Sequence, residues 1–490
     1  MHSVASIKNN DYKAISLKLV LALWILLLTF SAQAENLPDL GSPDLIEYDH
    51  QTEQELGRAF NTALHTQYDI YKDLEVNAYI RELGHKLASY TGNNRNYQFY
   101  IIKDSSINAF AGPNGVIGIH TGLIEATQSE DELAAVIAHE ISHVTQNHLS
   151  RRYEYSNTQG SLNSIATLIA AILIGTQDPT AGMATLMGGM GYNIQQQLKN
   201  SRQHESEADA IGIKLLNKAG YNPHAMGAFF GRLSKANNLN THKTPEILRT
   251  HPVSDNRLAQ AENRAQTMKR IISEPVSHLQ FIKMRIKDDY KLKIKQPELT
   301  QNEIQKLNCY QLGISHLKKD LKKPKCLIKM ATQKESFPVF TTLLIRFYTE
   351  QNTKINKQEL NDFKKLIKFK LELYPNNPSI PILYSRYLQK NGKTKEAIKL
   401  LLKTENKLSY KYELYNELAE LYSKTKQESY IDINLAKENL EIGNIEKSQY
   451  FIKQAKETLN TNNNKLKQEI FILENKIYKL LKNKDKKEKQ

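Results

Sequence analysis

His139-Glu140-Ile141-Ser142-His143 is the stretch on which the reading of the whole chain turns. At 3.6 residues per turn, positions four apart share one helix face, so the two imidazoles converge on one point and Glu140 stands beside it. Neutral imidazoles bind zinc, and a neighbouring carboxylate that is not itself a ligand can take a proton from water at that metal. The alternative is a pair of core histidines. The flanks favour the metal reading, because the helix is strongly signalled. Ser129 with Glu132 three residues on is a capping box, and Glu130, Asp131 and Glu132 give the first turn the charge that suits the helix dipole. Leu133, Val136, Ile137, Ile141 and Val144 place apolar groups along it.

Such a site needs at least one more protein ligand and an open position. Position 146 is Gln and 149 is Leu, so no third histidine follows in register, and His148 reads as a surface residue. A second helix, from about Gln203 to Lys218 and stopped by Gly220, carries Glu205 and Asp209, again four apart. One of them can bind the metal while the other holds a ligand imidazole by its free N–H.

Upstream, apolar residues recur at helical spacing from Glu53 to Ala88, and Tyr97 to Ile102 reads as a strand. Pro113-Asn114-Gly115 is a turn signal between two β-prone runs, which predicts a hairpin whose second strand carries Gly118. A glycine there implies an edge or a close backbone approach. Residues 153–198 are rich in Ala, Gly, Met and Leu and nearly free of charge. They form either a mobile apolar loop over a cleft or against a membrane surface, or an ordinary buried helical hairpin.

At the N-terminus, Lys13 and Lys18 precede an apolar run from Leu19 to Phe30 and then Ala32-Gln33-Ala34, the parts of a signal peptide over residues 1–34. The run is short for a membrane span, with an uncleaved anchor as the alternative, and no later one is long enough, so the expected product is exported and soluble. The Lys-, Asn- and Ile-rich composition has a bacterial character, which makes the destination the periplasm. In that oxidising space Cys309 and Cys326, the only two cysteines, are either a bridge between consecutive helices or two buried thiols.

The 490 residues suggest two to four domains, and 40% apolar with 24% charged residues excludes a disordered or fibrous chain. The net charge of +15 is local: residues 301–490 hold 38 Lys/Arg against 22 Asp/Glu, leaving 29 against 30 elsewhere. Lysines on helical sequence without interleaved aromatics are a solvated face, so nucleic-acid binding is set aside. After about residue 270 no strand-like run appears. Helix pairs punctuated by Gly392, Gly443, Ala and Tyr have the character of degenerate tetratricopeptide repeats, with a plain helical bundle as the alternative.

The two helical motifs, His139-Glu140-x-x-His143 and Glu205-x-x-x-Asp209 about 60 residues on, resemble those of the gluzincin peptidases that include HtpX and the CAAX prenyl endopeptidases. The expected signal peptide and repeats narrow the resemblance to periplasmic members that serve outer-membrane β-barrel assembly. It covers roughly residues 45–270 by motif and the rest by architecture. It implies an α+β zincin-type metalloprotease domain over residues 35–270, mostly helical with a small sheet, and an all-α tetratricopeptide-like solenoid over 271–490. It also implies one zinc ion per chain on His139, His143 and Glu205, with Glu140 as general base and Asp209 orienting a ligand or donating a proton. Asn108, Ala109, Phe110 and Gly118 match the edge strand on which substrate is laid. His251, in Thr250-His251-Pro252, matches a histidine that approaches the zinc as a fourth, restraining ligand, and Arg257 takes a lesser place nearby; a capping or transition-state role for His251 is the other reading. The implied substrates and partners are misassembled outer-membrane β-barrel proteins, unfolded polypeptides and the assembly machinery. The alternative function is a repeat-based chaperone or assembly adaptor with a latent metal site.

Overall fold

The computed structural model describes residues 50–151, 194–239, 244–272, 276–287, 299–334, 336–351, 356–459 and 463–485. The expected signal peptide and most of the 153–198 loop lie outside them.

The described residues begin with two helices, α1 (His50–Gln67) and α2 (Leu74–Ala88), the second capped by Asp73, whose carboxylate accepts from the N–H groups of Glu75 and Val76. Three short strands follow: β1 (Gln98–Ile102), β2 (Ala109–Ala111) and β3 (Val116–His120). Pro113–Gly115 makes the expected turn, with Asn114 at φ 55° and Gly115 at φ 78°, a conformation that favours these two residue types. β2 and β3 pair antiparallel as a hairpin, with Phe110 opposite Gly118. The order in the sheet is β1-β3-β2, because β3 also pairs in parallel with β1. Gly118 therefore sits on the central strand and not on the edge, which corrects the expectation that placed it there. Close approach is the reason for the glycine: a Cβ at 118 would meet the Phe110 ring at 2.3 Å.

After α3 (Thr121–Ala126), Ser129 starts α4 (Glu130–Thr145), its hydroxyl accepting from the Glu132 N–H. The reciprocal half of the capping box is replaced, since Glu132 accepts from the Gln128 N–H at 2.6 Å and pairs with Arg232. α4 is buried along nearly its full length in the core beneath the sheet. Packed against it is α5 (Ile194–Lys218), which starts a good two turns before the expected Gln203. α6 (Ala225–Leu239), α7 (Glu246–Thr250) and α8 (Asp255–Gln266) complete this half.

From here every described element is a helix: α9 (His278–Ile286), α10 (Gln301–Lys318), α11 (Lys325–Thr332), α12 (Pro338–Glu350), α13 (Lys357–Leu373), α14 (Ser379–Lys390), α15 (Thr394–Thr404), α16 (Tyr412–Lys424), α17 (Glu428–Glu441), α18 (Ile445–Glu457) and α19 (Asn464–Asp485). Neighbours pack in sequence order as an all-α solenoid, and Gly392 and Gly443 take the left-handed turns between paired helices. Cys309 on α10 and Cys326 on α11 are joined by a disulfide, Cα–Cα 6.0 Å. The solenoid returns to the sheet-bearing half. Arg81 of α2 binds Glu413 of α16, Thr62 of α1 donates to the Ile442 carbonyl, and Gly443 lies against the Arg58 backbone. His50–Gln490 is one compact unit. Among the described residues no helix is long and apolar enough to cross a membrane.

Candidate active site

α4 delivers His139, Glu140 and His143 into the core, at 0, 1 and 9% exposure. α5 crosses it and presents Glu205 and Asp209 from one face. The short α7 ends at His251, tied down by its N–H to the Ile247 carbonyl. Ligand atoms of His139, His143, Glu205 and His251 all lie within 4.8 Å of one another. His139 Nε2 is 3.0 Å from His143 Nε2 and 3.3 Å from Glu205. His251 Nδ1 is 3.0 Å from Glu205, and its Nε2 is 3.4 Å from Glu140.

Asp209 Oδ1 lies 3.0 Å from His139 Nδ1, where a carboxylate favours the tautomer that keeps the proton on Nδ1 and turns the Nε2 lone pair into the cluster. Arg257 grips Asp209 with both Nε and a terminal nitrogen, at 2.8 and 2.9 Å, and reaches Glu205 at 3.3 Å. Sequence alone gave Arg257 a lesser place; here it is the buried counter-charge that fixes Asp209 in position. Burial works against ionising Glu205, but His251, His143 and His139 outweigh it and hold the carboxyl well below the usual range. Burial raises Glu140 above the ordinary carboxylate value, opposed by His251 and His139. α4 packs on β2, so Glu140 stands beside the Ala111 backbone at the end of that strand, which also draws its pKa down.

His148 departs most from expectation. It is 2% exposed and not a surface residue. Asn147 turns left-handed at φ 53° after α4 ends, a feature visible as Asn just past a helix, and this folds His148 back beneath His143. Its Nδ1 lies 2.8 Å from His143 Nδ1 and its Nε2 lies 3.1 Å from Glu207, while its ring stacks on His204 at 4.3 Å. Burial and His204 push it down to about 4, so it is neutral at neutral pH. Neither Glu207 nor this arrangement was signalled by the sequence. Asn108 is buried and donates to Glu246 at 2.8 Å, and Ile247 N–H binds the Ile107 carbonyl, so α7 is fastened to the entry of β2.

Residues 73–265 match the model of Peptidase family M48. Over 257 residues the chain is 34% identical to the beta-barrel assembly-enhancing protease of Escherichia coli (strain K12), covering 52% of each. Identity to the protein of that name in Yersinia pestis is 36% over 251 residues, 51% of each. With metalloprotease LoiP of Escherichia coli it is 30% over 183 residues, 36% of this chain and 68% of that protein.

The chain belongs to peptidase family M48. It spans about half the length of the assembly-enhancing proteases it matches. M48 peptidases are zinc-dependent, and the cluster suits that ion. Two imidazole nitrogens and a carboxylate held within 3.5 Å in a buried pocket need positive charge among them, which a bound metal cation supplies. Two histidines and a glutamate are the donor types zinc takes at open sites.

Proposed function

We propose that the chain is a zinc-dependent endopeptidase in which His139, His143 and Glu205 hold the ion and Glu140 is the general base. When bound, zinc supplies a Lewis acid that polarises a peptide carbonyl and makes a nearby water more acidic. Glu140 accepts a proton on its carboxylate and returns it to the leaving amine nitrogen. Its burial suits the task, since a raised pKa brings it nearer to neutrality. Asp209, clamped by Arg257, keeps His139 in the tautomer that presents Nε2. An extended peptide adds to the outer edge of β2 by main-chain pairing at Ala109 and Phe110, which tolerates many side chains. The observation that carries this reading is that Glu140 lies 3.4 Å from His251 in the ligand cluster, on a helix packed against that edge strand.

The relatives' names speak of β-barrel assembly and support a role in that process, from which we infer substrates among outer-membrane β-barrel proteins. We place the protein in the periplasm after removal of residues 1–34, with a peptidase domain over 35–270 and tetratricopeptide-like repeats over 271–490 that recruit misassembled polypeptides or the assembly machinery.

A second reading rests on His251. With it, the cluster has four protein ligands, the closed set of a structural zinc site. The repeats then act as a chaperone or adaptor, and the site stays latent until His251 withdraws. Glu140→Gln is the test. It should keep the zinc and lose cleavage of casein, and undiminished cleavage overturns the assignment of the base. If Glu140→Gln fully rescues an outer-membrane assembly defect, the adaptor reading holds. His251→Ala should raise cleavage if that side chain restrains the site.

A further inference from the structure

His143 needs an explanation that His139 already has. Asp209 Oδ1 stands 3.0 Å from His139 Nδ1. No carboxylate touches His143 Nδ1 among the described contacts; His148 Nδ1 does, at 2.8 Å. Two imidazole nitrogens can share only one proton, so the direction of that bond is set by what His148 does at its far side. There Glu207 approaches Nε2 at 3.1 Å, and an ionised carboxylate only accepts. His148 therefore carries its proton on Nε2, its Nδ1 is a lone pair, and the bond runs from His143 Nδ1–H to His148. That leaves His143 Nε2 as the lone pair facing Glu205 at 3.5 Å.

We propose that His148 and Glu207 are the positioning pair for His143, a Glu207–His148–His143 relay that sets its tautomer and aims its Nε2 at the metal, as Asp209 does for His139. The inference rests on the reading of His143 as a zinc ligand. The relay is built rather than incidental. The His148 side chain is 3% exposed, its ring is clamped face to face on His204, and Glu207 is held by Arg151 at 2.8 Å and Gln203 at 3.1 Å. His204 and Glu207 lie three apart on α5, so one turn of that helix supplies both the stacking plate and the acceptor. α5 thus carries one metal ligand and the outer support of both histidines.

The test measures metal affinity, not turnover. Purified, metal-free full-length protein is titrated with Zn2+ against a chromophoric chelator, and with Co2+ to record its visible absorption. His148→Ala should weaken zinc by roughly 10- to 100-fold, the range for loss of such support, and should alter the cobalt bands. His148→Gln, whose amide oxygen accepts from His143 Nδ1–H, should recover a large part of that loss. Glu207→Ala should weaken zinc by a smaller factor, because His148 loses only its tautomer preference. Melting of the metal-free proteins separates packing from positioning, and Glu207→Ala with His148→Gln carries the test if His148→Ala fails to fold. The proposal is overturned if His148→Ala binds zinc within about threefold of wild type, or if Ala and Gln at 148 weaken it equally. Wild-type protein that binds no zinc defeats the metal-site reading itself, a distinct outcome from equal binding by wild type and variants.

Discussion

Glu413→Ala tests whether the solenoid is anchored to the peptidase half by a buried charge. Arg81 of α2 meets Glu413 of α16 through two parallel N–H···O contacts at 3.0 and 2.6 Å, with side-chain exposures of 11 and 17%. Its guanidinium also lies 4.3 Å from the Tyr410 ring centre. Burial alone disfavours the Arg81 cation, yet Glu413 outweighs it and raises the group above its ordinary value. Removing the carboxylate strands a desolvated cation, a loss of about 3–5 kcal/mol where no solvent reaches. Tyr410 remains as a cation–π partner worth about 1 kcal/mol, so we expect a cost near the bottom of the range, about 3 kcal/mol. Arg81→Met with Glu413→Leu removes both charges and keeps the volume, and should recover most of that loss. Denaturant unfolding followed by far-ultraviolet circular dichroism of wild type, Glu413→Ala, Arg81→Met and Arg81→Met with Glu413→Ala gives the four corners of the cycle. A Glu413→Ala cost below about 1 kcal/mol, or one unchanged in the Arg81→Met background, would refute the reasoning.

His278 is half-buried at the start of α9, with Nε2 enclosed and unpartnered and its ring stacked on Phe337 at 5.1 Å, and burial pushes it down to about 3. The unfolded chain takes up that proton near pH 6.5 and the folded one does not. The stability it contributes is thus complete above pH 6.5 and is lost as pH falls towards 3, at about 1.4 kcal/mol per unit. His278→Phe should flatten the pH dependence of the denaturation midpoint in that window, and an unchanged slope counts against it. Gly118→Ala drives a Cβ into the Phe110 ring, and should cost roughly 1–3 kcal/mol as an overpacking defect. Phe110→Leu in the same chain should return part of that in thermal melting; no recovery would locate the strain elsewhere.

The parts of the site that could be read from sequence are those whose partners are local. Ser129 caps α4 and sets where it begins, so His139 and His143 share a face whatever the rest of the chain does. Pro113-Asn114-Gly115 joins two strands because the turn geometry lies within those three residues. What escaped is what depends on a second segment arriving. Gly118 looked like an edge residue because a hairpin by itself has two edges; only β1, pairing in parallel from earlier in the chain, makes β3 central. Arg257 lies 48 residues from Asp209, and nothing near it foretells that its two donors will find that carboxylate.

His148 is the instructive failure: with Gln at 146 and Leu at 149 it falls outside the register of a third histidine and reads as a surface residue, and the helical period does not recover it. Extended past residue 145, the 3.6 period points position 148 away from the cluster. The rule applies only while the helix lasts, and the left-handed Asn147 ends it one residue too soon. A histidine following an Asn stop is therefore the position where periodic extrapolation loses meaning, and where a side chain can swing back beneath the face it has just left. Two separate routes, Asp209 on His139 and Glu207 through His148 on His143, thus reach the two imidazoles from one helix. A shift of α5 moves the carboxylate ligand and both supports together. The orientation of the histidines is consequently a property of the α4–α5 pair and not of the His-Glu-x-x-His motif alone.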